Sequence, residues 1–471
     1  MHALQSQGVG RGVAVGILLP NTPQFTTLYY AITALGGLCV PVNPLLKPHE
    51  LAYIWADCKA QIIVTTPQCI ATVTETLRLL DSSIPVYTIS ESTETSACFD
   101  SWINDFPASK PVTELIDPDI PAVCIYTSGT TGRPKGALLS HNNLVINCIQ
   151  LRQALELDEN DNFLCVLPLF HSFAGTVCQN TPIQAGATFT LIEQFHPARV
   201  LEEVQRHKAT IFAGVPAMFG ALLQFGSNLA DNFHSVRISV SGGAPMPVAL
   251  MERFEETFHN IIIEGDGPTE CSPVTSVNPI DGVRKPGTVG LAIPGVQVKI
   301  FDDDDKEVGV DEIGEIVVKG KNVMLGYLNQ PEETAAAMRS GWYHTGDIGK
   351  IDAEGYISIL DRKKDMLLVG GFNVYPREIE EILYTHPGIM DAAVIGAPDE
   401  TRGEQVVAVI SLKPEVELSN REVIAYCRER LANYKVPRKV IFRDELPRGG
   451  TGKVLKRLLR KELDMEGVSE Q

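Results

Sequence analysis

The sequence contains no cysteine pair with CxxC spacing, although it has ten cysteines among 471 residues. Several cysteines lie inside apolar runs, as Cys124 and Cys165 do. Isolated cysteines in such runs are typical of buried, reduced thiols in a cytosolic protein rather than of a disulfide framework. We therefore expect free and mostly buried thiols.

Long apolar runs are also absent. No stretch approaches the roughly 18 to 20 apolar residues that a membrane-spanning helix requires. The N-terminus lacks the basic-then-apolar pattern of a signal peptide. These absences predict a cytoplasmic protein with at most peripheral membrane contact.

Positive charge is scarce, since the formal net charge is −18 and the Lys and Arg residues are mostly dispersed. This balance argues against a nucleic-acid partner, which needs a basic face. The exception is the basic stretch 435–461, which either meets an anionic cofactor or forms a solvated helix face. The acidic run 302–305 lies between two strand-like segments and is interpreted as a solvated hairpin turn.

The order of apolar patterns predicts an α/β fold with more than one domain. Short β-branched runs alternate with helical patterns from residue 13 to residue 263, which indicates βα units. After residue 287 the runs are hairpin-like and predict an antiparallel, barrel-like subdomain. A compact α+β pattern follows. The predicted division is 1–361 for a large N-terminal domain, 362–364 for a hinge and 365–471 for a small mobile domain.

Residues 126–136 read Tyr-Thr-Ser-Gly-Thr-Thr-Gly-Arg-Pro-Lys-Gly after an apolar strand. Small residues let backbone N–H groups approach phosphate oxygens, hydroxyls add donors, and Lys135 supplies a positive charge. The order differs from a Walker A loop, and an isolated loop of this composition could equally be a flexible surface loop. The predicted phosphate-binding residues are Thr127, Ser128, Gly129, Thr130, Thr131, Gly132 and Lys135.

Further motifs follow in order: 168–173 (PLFHSF), 241–245 (SGGAP), 265–270 (GDGPTE), 343–347 (YHTGD), 361–365 (DRKKD) and 446–453 (LPRGGTGK). Together with the phosphate loop they resemble the adenylate-forming superfamily of acyl-CoA synthetases, luciferases and peptide-synthetase adenylation domains. The resemblance covers nearly the whole chain. Residues 370–380 (GGFNVYPREIE) make it most similar to bacterial medium- and long-chain fatty-acyl-CoA ligases.

The resemblance implies that ATP adenylates a fatty acid with release of pyrophosphate, and that the acyl group then passes to coenzyme A. It implies that Lys453 bridges the carboxylate and the α-phosphate, and that Thr269 donates to the α-phosphate. Glu270 would hold Mg²⁺, Asp347 the ribose, and Arg362 both ribose and phosphate. The remaining implied nucleotide contacts are Gly242, Gly243, Ala244, Asp266, Gly267, Pro268 and Ile359.

The same resemblance assigns the hinge to Lys364 and the thiol channel to Gly370 and Gly371. The acyl pocket would be lined by Phe170, His171, Phe173, Val177, Gly214 and Val215. A lone histidine among phenylalanines is commonly a core residue, but His171 matches the histidine at the mouth of the acyl pocket. These apolar walls suit an alkyl chain and disfavour an amino acid, whereas an aryl acid stays open.

Two departures from the family pattern are visible. Asp266 stands where relatives carry an aromatic residue that stacks on adenine, which puts the adenine geometry in doubt. Relatives also carry a few dozen more residues before the segment that matches residues 1–19, so a first helix and hairpin are expected to be missing. Three alternatives remain: an aryl-acid CoA ligase, an enzyme that loads an acyl carrier protein, and a degenerate AMP-binding regulatory protein.

Overall fold

The computed structural model describes residues 1–109, 115–127, 133–399, 401–449 and 452–469. Within them the strands are β1 (Ala14–Leu18), β2 (Leu38–Pro41), β3 (Ile62–Thr65), β4 (Val86–Thr88), β5 (Ala97–Cys98), β6 (Pro121–Thr127), β7 (Lys135–Ser140), β8 (Asn162–Cys165), β9 (Thr188–Leu191), β10 (Ile211–Gly214), β11 (Ile238–Ser241), β12 (Ile262–Asp266), β13 (Ser276–Val277), β14 (Leu291–Ala292), β15 (Val296–Phe301), β16 (Gly314–Gly320), β17 (Gly326–Tyr327), β18 (Tyr343–Ile351), β19 (Ile357–Arg362), β20 (Leu367–Val369), β21 (Phe372–Val374), β22 (Ile389–Asp399), β23 (Gly403–Leu412) and β24 (Lys439–Phe442).

The α-helices in the same residues are α1 (His2–Ser6), α2 (Pro23–Thr33), α3 (Pro48–Asp57), α4 (Ile70–Leu80), α5 (Phe99–Asn104), α6 (His141–Ala154), α7 (Thr181–Ala185), α8 (Pro197–His207), α9 (Pro216–Gly226), α10 (Val248–Phe258), α11 (Pro331–Ala337), α12 (Pro376–Tyr384), α13 (Asn420–Arg428) and α14 (Lys456–Ser469). None of the described helices is long and apolar enough to cross a membrane. The predicted mixed α/β class is confirmed.

Two mainly parallel sheets form the framework of the N-terminal part. The first has the order β17-β7-β6-β2-β1-β3-β4-β5, and the second has the order β14-β13-β12-β11-β10-β8-β9. Strand β1 is buried along its whole length because its five residues, Ala-Val-Gly-Ile-Leu, are apolar or small. Such continuous apolar strands are typical of parallel sheets that helices cover on both faces. The carboxyl ends of parallel neighbours meet at one edge, which places the β11 and β12 motifs together.

A strand lies between the phosphate loop and the helix that follows it. Strand β7 begins at Lys135 and pairs antiparallel with β6, and only then does α6 start. Ser140 caps α6, since its side chain accepts a hydrogen bond from the Asn143 backbone N–H at 3.0 Å. Lys135 is therefore fixed at the first position of a buried strand.

The predicted barrel-like subdomain is an open sheet in the described residues. Its four antiparallel strands run in the order β15-β16-β18-β19, without closure between β15 and β19. The acidic run forms the turn after β15, where Asp302 Oδ1 accepts hydrogen bonds from the backbone N–H groups of Asp304 and Lys306. Asp305 departs from the predicted solvated turn, because it forms an ion pair with Arg339 at 2.9 Å.

The C-terminal part has its own sheet and its own core. The sheet order is β21-β20-β23-β22, with β24 parallel to β23, and α12 and α13 pack on it. Much of the basic stretch is paired within this part, since Lys456 lies 2.7 Å from Glu380 and Arg460 lies 2.8 Å from Asp365. All ten cysteines, each within the described residues, are free; eight are buried, and Cys69 and Cys98 are partly exposed.

Candidate active site

The nucleotide motifs converge at the carboxyl edge of the second parallel sheet. Gly242, Gly243 and Ala244 follow β11, and the 265–270 motif ends β12. Gly267 lies against the backbone of Pro273, where any Cβ atom would clash with the carbonyl group. The chain therefore turns more sharply here than a larger residue would allow, and Pro268 then starts the short helical turn Thr269–Cys271.

Asp347 and Arg362 are cross-strand partners on β18 and β19. The Arg362 Nε atom lies 3.1 Å from Asp347 Oδ1, and the strand pairing is irregular next to Asp347, between Ile348 and Gly349. Burial raises the pKa of Asp347, while Arg362 and Lys453 oppose that shift. The cleft thus holds a carboxylate between two cations.

Lys453 reaches this cleft from the C-terminal part. The preceding Gly452 has a φ of +78° and approaches Val215, since a Cβ on it would lie 3.0 Å from Val215 Cγ2. The Lys453 side chain keeps access to solvent in the open cleft. Displacement of water by the surrounding protein, together with repulsion by Arg362, lowers the pKa of Lys453 to about 8, and Asp347 opposes this shift.

Asp266 adds a second carboxyl group beside Asp347. Burial and the charge of Asp347 raise the pKa of Asp266 to about 6, with Arg362 and Lys453 acting in the opposite direction. Its carboxylate also accepts a hydrogen bond from Thr275 Oγ1 at 3.4 Å. At the position where the family pattern has an aromatic residue that stacks on adenine, this chain therefore places an acidic side chain in the cleft.

Glu270 is buried, and the Tyr327 hydroxyl donates to its Oε1 atom at 2.9 Å. The neighbouring Thr269 hydroxyl lies 2.9 Å from Ser172 Oγ. Across the described part of the chain, no group of three or more His, Cys, Asp and Glu side chains could hold a metal ion. A single carboxylate fits Mg²⁺, because this ion commonly takes one or two carboxylates and completes its shell with phosphate oxygens and water.

Lys135 forms an ion pair with Glu333 of α11, and its Nζ atom lies 5.2 Å above the ring of Tyr327. The backbone carbonyl of Lys135 accepts a hydrogen bond from Thr127 Oγ1 at 3.5 Å. The predicted residues Ser128, Gly129, Thr130, Thr131 and Gly132 lie outside the described residues. Tyr327 therefore connects the lysine of the phosphate loop with Glu270.

An apolar cavity opens beside Lys453. Its lining includes His171, Phe173, Val215 and Gly243. Desolvation, followed by the charge of Lys453, lowers the pKa of His171 to about 4, so the imidazole is neutral at pH 7. The chain after Phe173 winds as the π-helical segment Ala174–Asn180, a local form that is frequent at functional sites.

The other predicted pocket residues lie deeper or to the side. Val177 is in the hydrophobic core, Gly214 packs against the ring of Phe212, and Phe170 is partly buried against the core. Gly370 and Gly371 form the β20–β21 turn with positive φ angles, and a Cβ on either would meet open space. Lys364 is exposed just after β19, and Ile359 lies within that strand.

Sequence reasoning missed several residues of this site: Ser172, Glu264, Tyr327, Glu333 and Arg377. Tyr327 and Glu333 lie in the 326–333 segment, which carries no concentration of glycine, hydroxyl or paired charge that would indicate a site. Ser172 stands inside a motif that was noted for its histidine. The fold brings Ser172 to Thr269, Tyr327 to Glu270 and Glu333 to Lys135. It brings Glu264 and Arg377 to each other.

The chain belongs to the AMP-binding enzyme family. The family profile "AMP-binding enzyme" matches residues 2–328, and the profile "AMP-binding enzyme C-terminal domain" matches residues 378–453. The family resemblance of the motifs is thereby confirmed.

Individual relatives agree with this assignment. A long-chain-fatty-acid–CoA ligase of Bacillus subtilis is 38% identical, with 98% of this chain and 87% of the relative covered. A feruloyl-CoA synthase of Amycolatopsis is 36% identical, with coverage of 98% and 91%. The ATP-bound MatB structure from Rhodopseudomonas palustris is 33% identical and superposes with a TM-score of 0.91 over 98% of this chain and 90% of that one. The apo form of the same protein, at the same identity and coverage, gives 0.79.

Proposed function

We propose that this protein is an ATP-dependent acyl-CoA ligase that adenylates a medium- or long-chain fatty acid, releases pyrophosphate and transfers the acyl group to coenzyme A. One observation carries the proposal: Lys453, Asp347 and Arg362 interact in one cleft. His171 lies in the adjoining apolar cavity, close enough to Lys453 for the lysine charge to lower the pKa of its imidazole. The names of the fatty-acid ligases to which the chain is similar support it.

The first half-reaction joins a carboxylate oxygen to the α-phosphorus of ATP as the bond to pyrophosphate breaks. Negative charge then accumulates on the α-phosphate oxygens, and Lys453 stabilises it by position and charge without transferring a proton. Asp347 holds the ribose hydroxyls, and Arg362 reaches ribose and phosphate. Thr269 donates to the α-phosphate, and Ser172 orients its hydroxyl.

Glu270 is the residue that would hold Mg²⁺, with Tyr327 fixing the orientation of its carboxylate. The ion supplies charge neutralisation to the phosphates when it is bound. Lys135, with the loop before it, would contact the outer phosphates. Gly242, Gly243 and Ala244 would form the backbone wall of the adenine site.

His171 gates or orients the substrate carboxylate rather than acting as a base. Its low pKa leaves the ring neutral at working pH, and a fatty acid is already ionised there, so no proton must be removed. Phe173 and Val215 supply apolar wall beside it. Each methylene buried against such a wall contributes about 0.8 kcal/mol.

The second half-reaction moves the acyl group from AMP to the thiol of coenzyme A. The 365–471 part would rotate about the 362–364 hinge at Lys364, withdraw Lys453 and present the Gly370–Gly371 turn to the thiol arm. Free space above both glycines supports the close approach of such an arm. We place the protein in the cytoplasm, where its substrates are formed.

A second candidate is an aryl-acid CoA ligase, which the similarity to feruloyl-CoA synthase favours. An acyl carrier protein is the alternative acceptor. The test is a competition assay in which fatty and aryl acids are supplied together with Mg²⁺-ATP, coenzyme A and phosphopantetheinylated carrier protein. Mass spectrometry should detect fatty-acyl-CoA as the main product. Aroyl-CoA as the main product would favour the aryl-acid ligase, and an acylated carrier protein would favour the alternative acceptor. Failure to form any acyl-AMP would rule out the proposed enzyme function.

A further inference from the structure

Arg377 of α12 carries a buried positive charge from the C-terminal part into the N-terminal part. Its Nη1 atom donates to the backbone carbonyl of Ile359 at 2.7 Å, and its Nη2 atom lies 3.9 Å from Glu264 Oε1. The residue is only 8% exposed. A buried arginine needs compensation by hydrogen bonds and opposite charge, and these partners lie on β19 and β12.

Glu264 is the complementary buried acid. It is 2% exposed, and its Oε1 atom accepts a hydrogen bond from the Met246 backbone N–H at 3.0 Å. Its Oε2 atom has no hydrogen-bond partner among the described residues. Burial raises the pKa of Glu264 to about 7, and the largest opposing influence is Arg377. The N-terminal part therefore stabilises this carboxylate incompletely, and its principal cation comes from the other side of the interface.

Glu381 reinforces the contact one helical turn beyond Arg377. Its Oε1 atom lies 3.9 Å from Arg377 Nε, and its carboxylate accepts a hydrogen bond from the backbone of Val248, the first residue of α10. The N-terminus of a helix carries free N–H groups and a partial positive charge that favour a carboxylate. Helix α12 thus presents a cation to β12 and an anion to α10.

The position of Lys453 depends on the same helix. Glu380 of α12 lies 2.7 Å from Lys456, which begins the helix immediately after the Lys453 segment. The Arg377 backbone N–H also donates to Asp361 Oδ2 at 3.0 Å, at the point where the chain enters the hinge. A displacement of α12 from β12 and α10 would therefore carry Lys453 away from Asp347.

We infer that Arg377 and Glu264 form an interdomain latch that holds the C-terminal part in the arrangement for adenylation, so that Arg377 is a positioning residue of the first half-reaction. The inference rests on the proposed function for its kinetic consequence, but the contact itself can be tested without any substrate. The higher TM-score with the ATP-bound relative than with its apo form agrees with an adenylation arrangement.

The experiment compares Arg377→Met with Arg430→Met. Methionine removes the charge while keeping an unbranched side chain. Arg430 is a surface residue of the C-terminal part whose charge pairs with Glu429 in the same part. In single-turnover assays, Arg377→Met should slow acyl-AMP formation at least tenfold and leave thioester formation from supplied acyl-AMP within twofold. Arg430→Met should change neither step by more than twofold.

Hydrogen–deuterium exchange of the substrate-free enzyme supplies the structural readout. The amides of Met246 and of residues 248–250, around the start of α10, should exchange faster in Arg377→Met and at the unchanged rate in Arg430→Met. Glu264→Gln should act in the same direction, and adding it to Arg377→Met should cause little further change, because one contact is already broken.

Four results decide the fate of the latch or of the proposed function. Equal slowing of both half-reactions by Arg377→Met, or fully additive effects of the two substitutions, would overturn the latch. Unchanged exchange at Met246 and residues 248–250 would overturn it as well. If the wild-type protein makes no acyl-AMP, the proposed function fails, while the exchange measurement still decides whether the latch exists.

Discussion

Lys135 and Glu333 form an ion pair that joins the first residue of β7 to helix α11. The lysine is buried, whereas the Glu333 side chain is 41% exposed. The ring of Tyr327 lies beneath the ammonium group, and its hydroxyl holds Glu270. Glu333 therefore supplies Lys135 with a negative charge, as the phosphate oxygens are proposed to do.

Replacing Glu333 with Gln should favour ATP, because the competing carboxylate is removed from Lys135. An ion pair with an exposed partner contributes at most about 1 kcal/mol, so the KM for ATP should fall about two- to fivefold. Initial-rate measurements over a range of ATP concentrations give this value. Glu332→Gln is the control, since it makes the same change at the adjacent exposed position. A raised KM would mean that Glu333 holds Lys135 in place for the phosphates.

Lys453→Ala should strongly slow adenylation and leave the rate of thioester formation largely unchanged. The lysine acts on charge that develops only in the first transition state, and loss of one such group costs about 10²- to 10³-fold in rate. Pyrophosphate release measures the first step, and conversion of supplied acyl-AMP with coenzyme A measures the second. Equal losses in the two steps would contradict the separation of roles.

Adenylation should depend on pH through Lys453. Its environment disfavours the ammonium form, so the pKa is lowered to about 8 and the charge is lost as the pH rises past that value. The kcat/KM for ATP reports the free enzyme and should fall about tenfold per pH unit on the alkaline side. Lys453→Arg should abolish this limb, whatever its absolute rate, because arginine stays charged. An alkaline limb that persists in Lys453→Arg would assign it to another group.

Asp266→Asn should tighten nucleotide binding. At pH 8 the Asp266 carboxylate is ionised beside Asp347, and it repels the phosphates of an incoming nucleotide. Removing one charge at this range is worth about 1 kcal/mol, so the Kd for a non-hydrolysable ATP analogue should fall about three- to tenfold. Titration calorimetry measures it, with Asp304→Asn in the exposed acidic turn as the charge-matched control. Weaker binding would indicate that Asp266 accepts a hydrogen bond from the nucleotide.

Regular hydrophobic patterns made much of the fold predictable. Strands β15 and β16 pair as a hairpin in the region after residue 287 where the sequence predicts one, because apolar alternation marks such strands locally. Strand β7 was missed, since a Gly- and Lys-rich start conceals the apolar residues that follow. The predicted barrel-like form is an open sheet in the structure. A barrel would require β19 to pair with β15, and no local sequence pattern encodes that pairing.

Candidate site residues could be predicted where they stand in a short polar motif. They could not be predicted where only the fold brings distant residues together. Asp347 and Arg362 each stand in a short polar motif, and their pairing follows from the β18–β19 register. Glu264 belongs to an apolar strand, and Arg377 lies more than a hundred residues away at a helix start. Their charges become informative only when burial and distance are known.

The hairpin of β18 and β19 carries the proposed ribose-binding carboxylate, and it ends at the proposed hinge. Asp347 lies on one strand, while the other strand ends at Arg362, two residues before Lys364. Because Arg362 pairs with Asp347, we expect a rotation of the chain after β19 to change this ion pair. We therefore expect the release of AMP to occur together with the rotation that returns the C-terminal part to the adenylation arrangement.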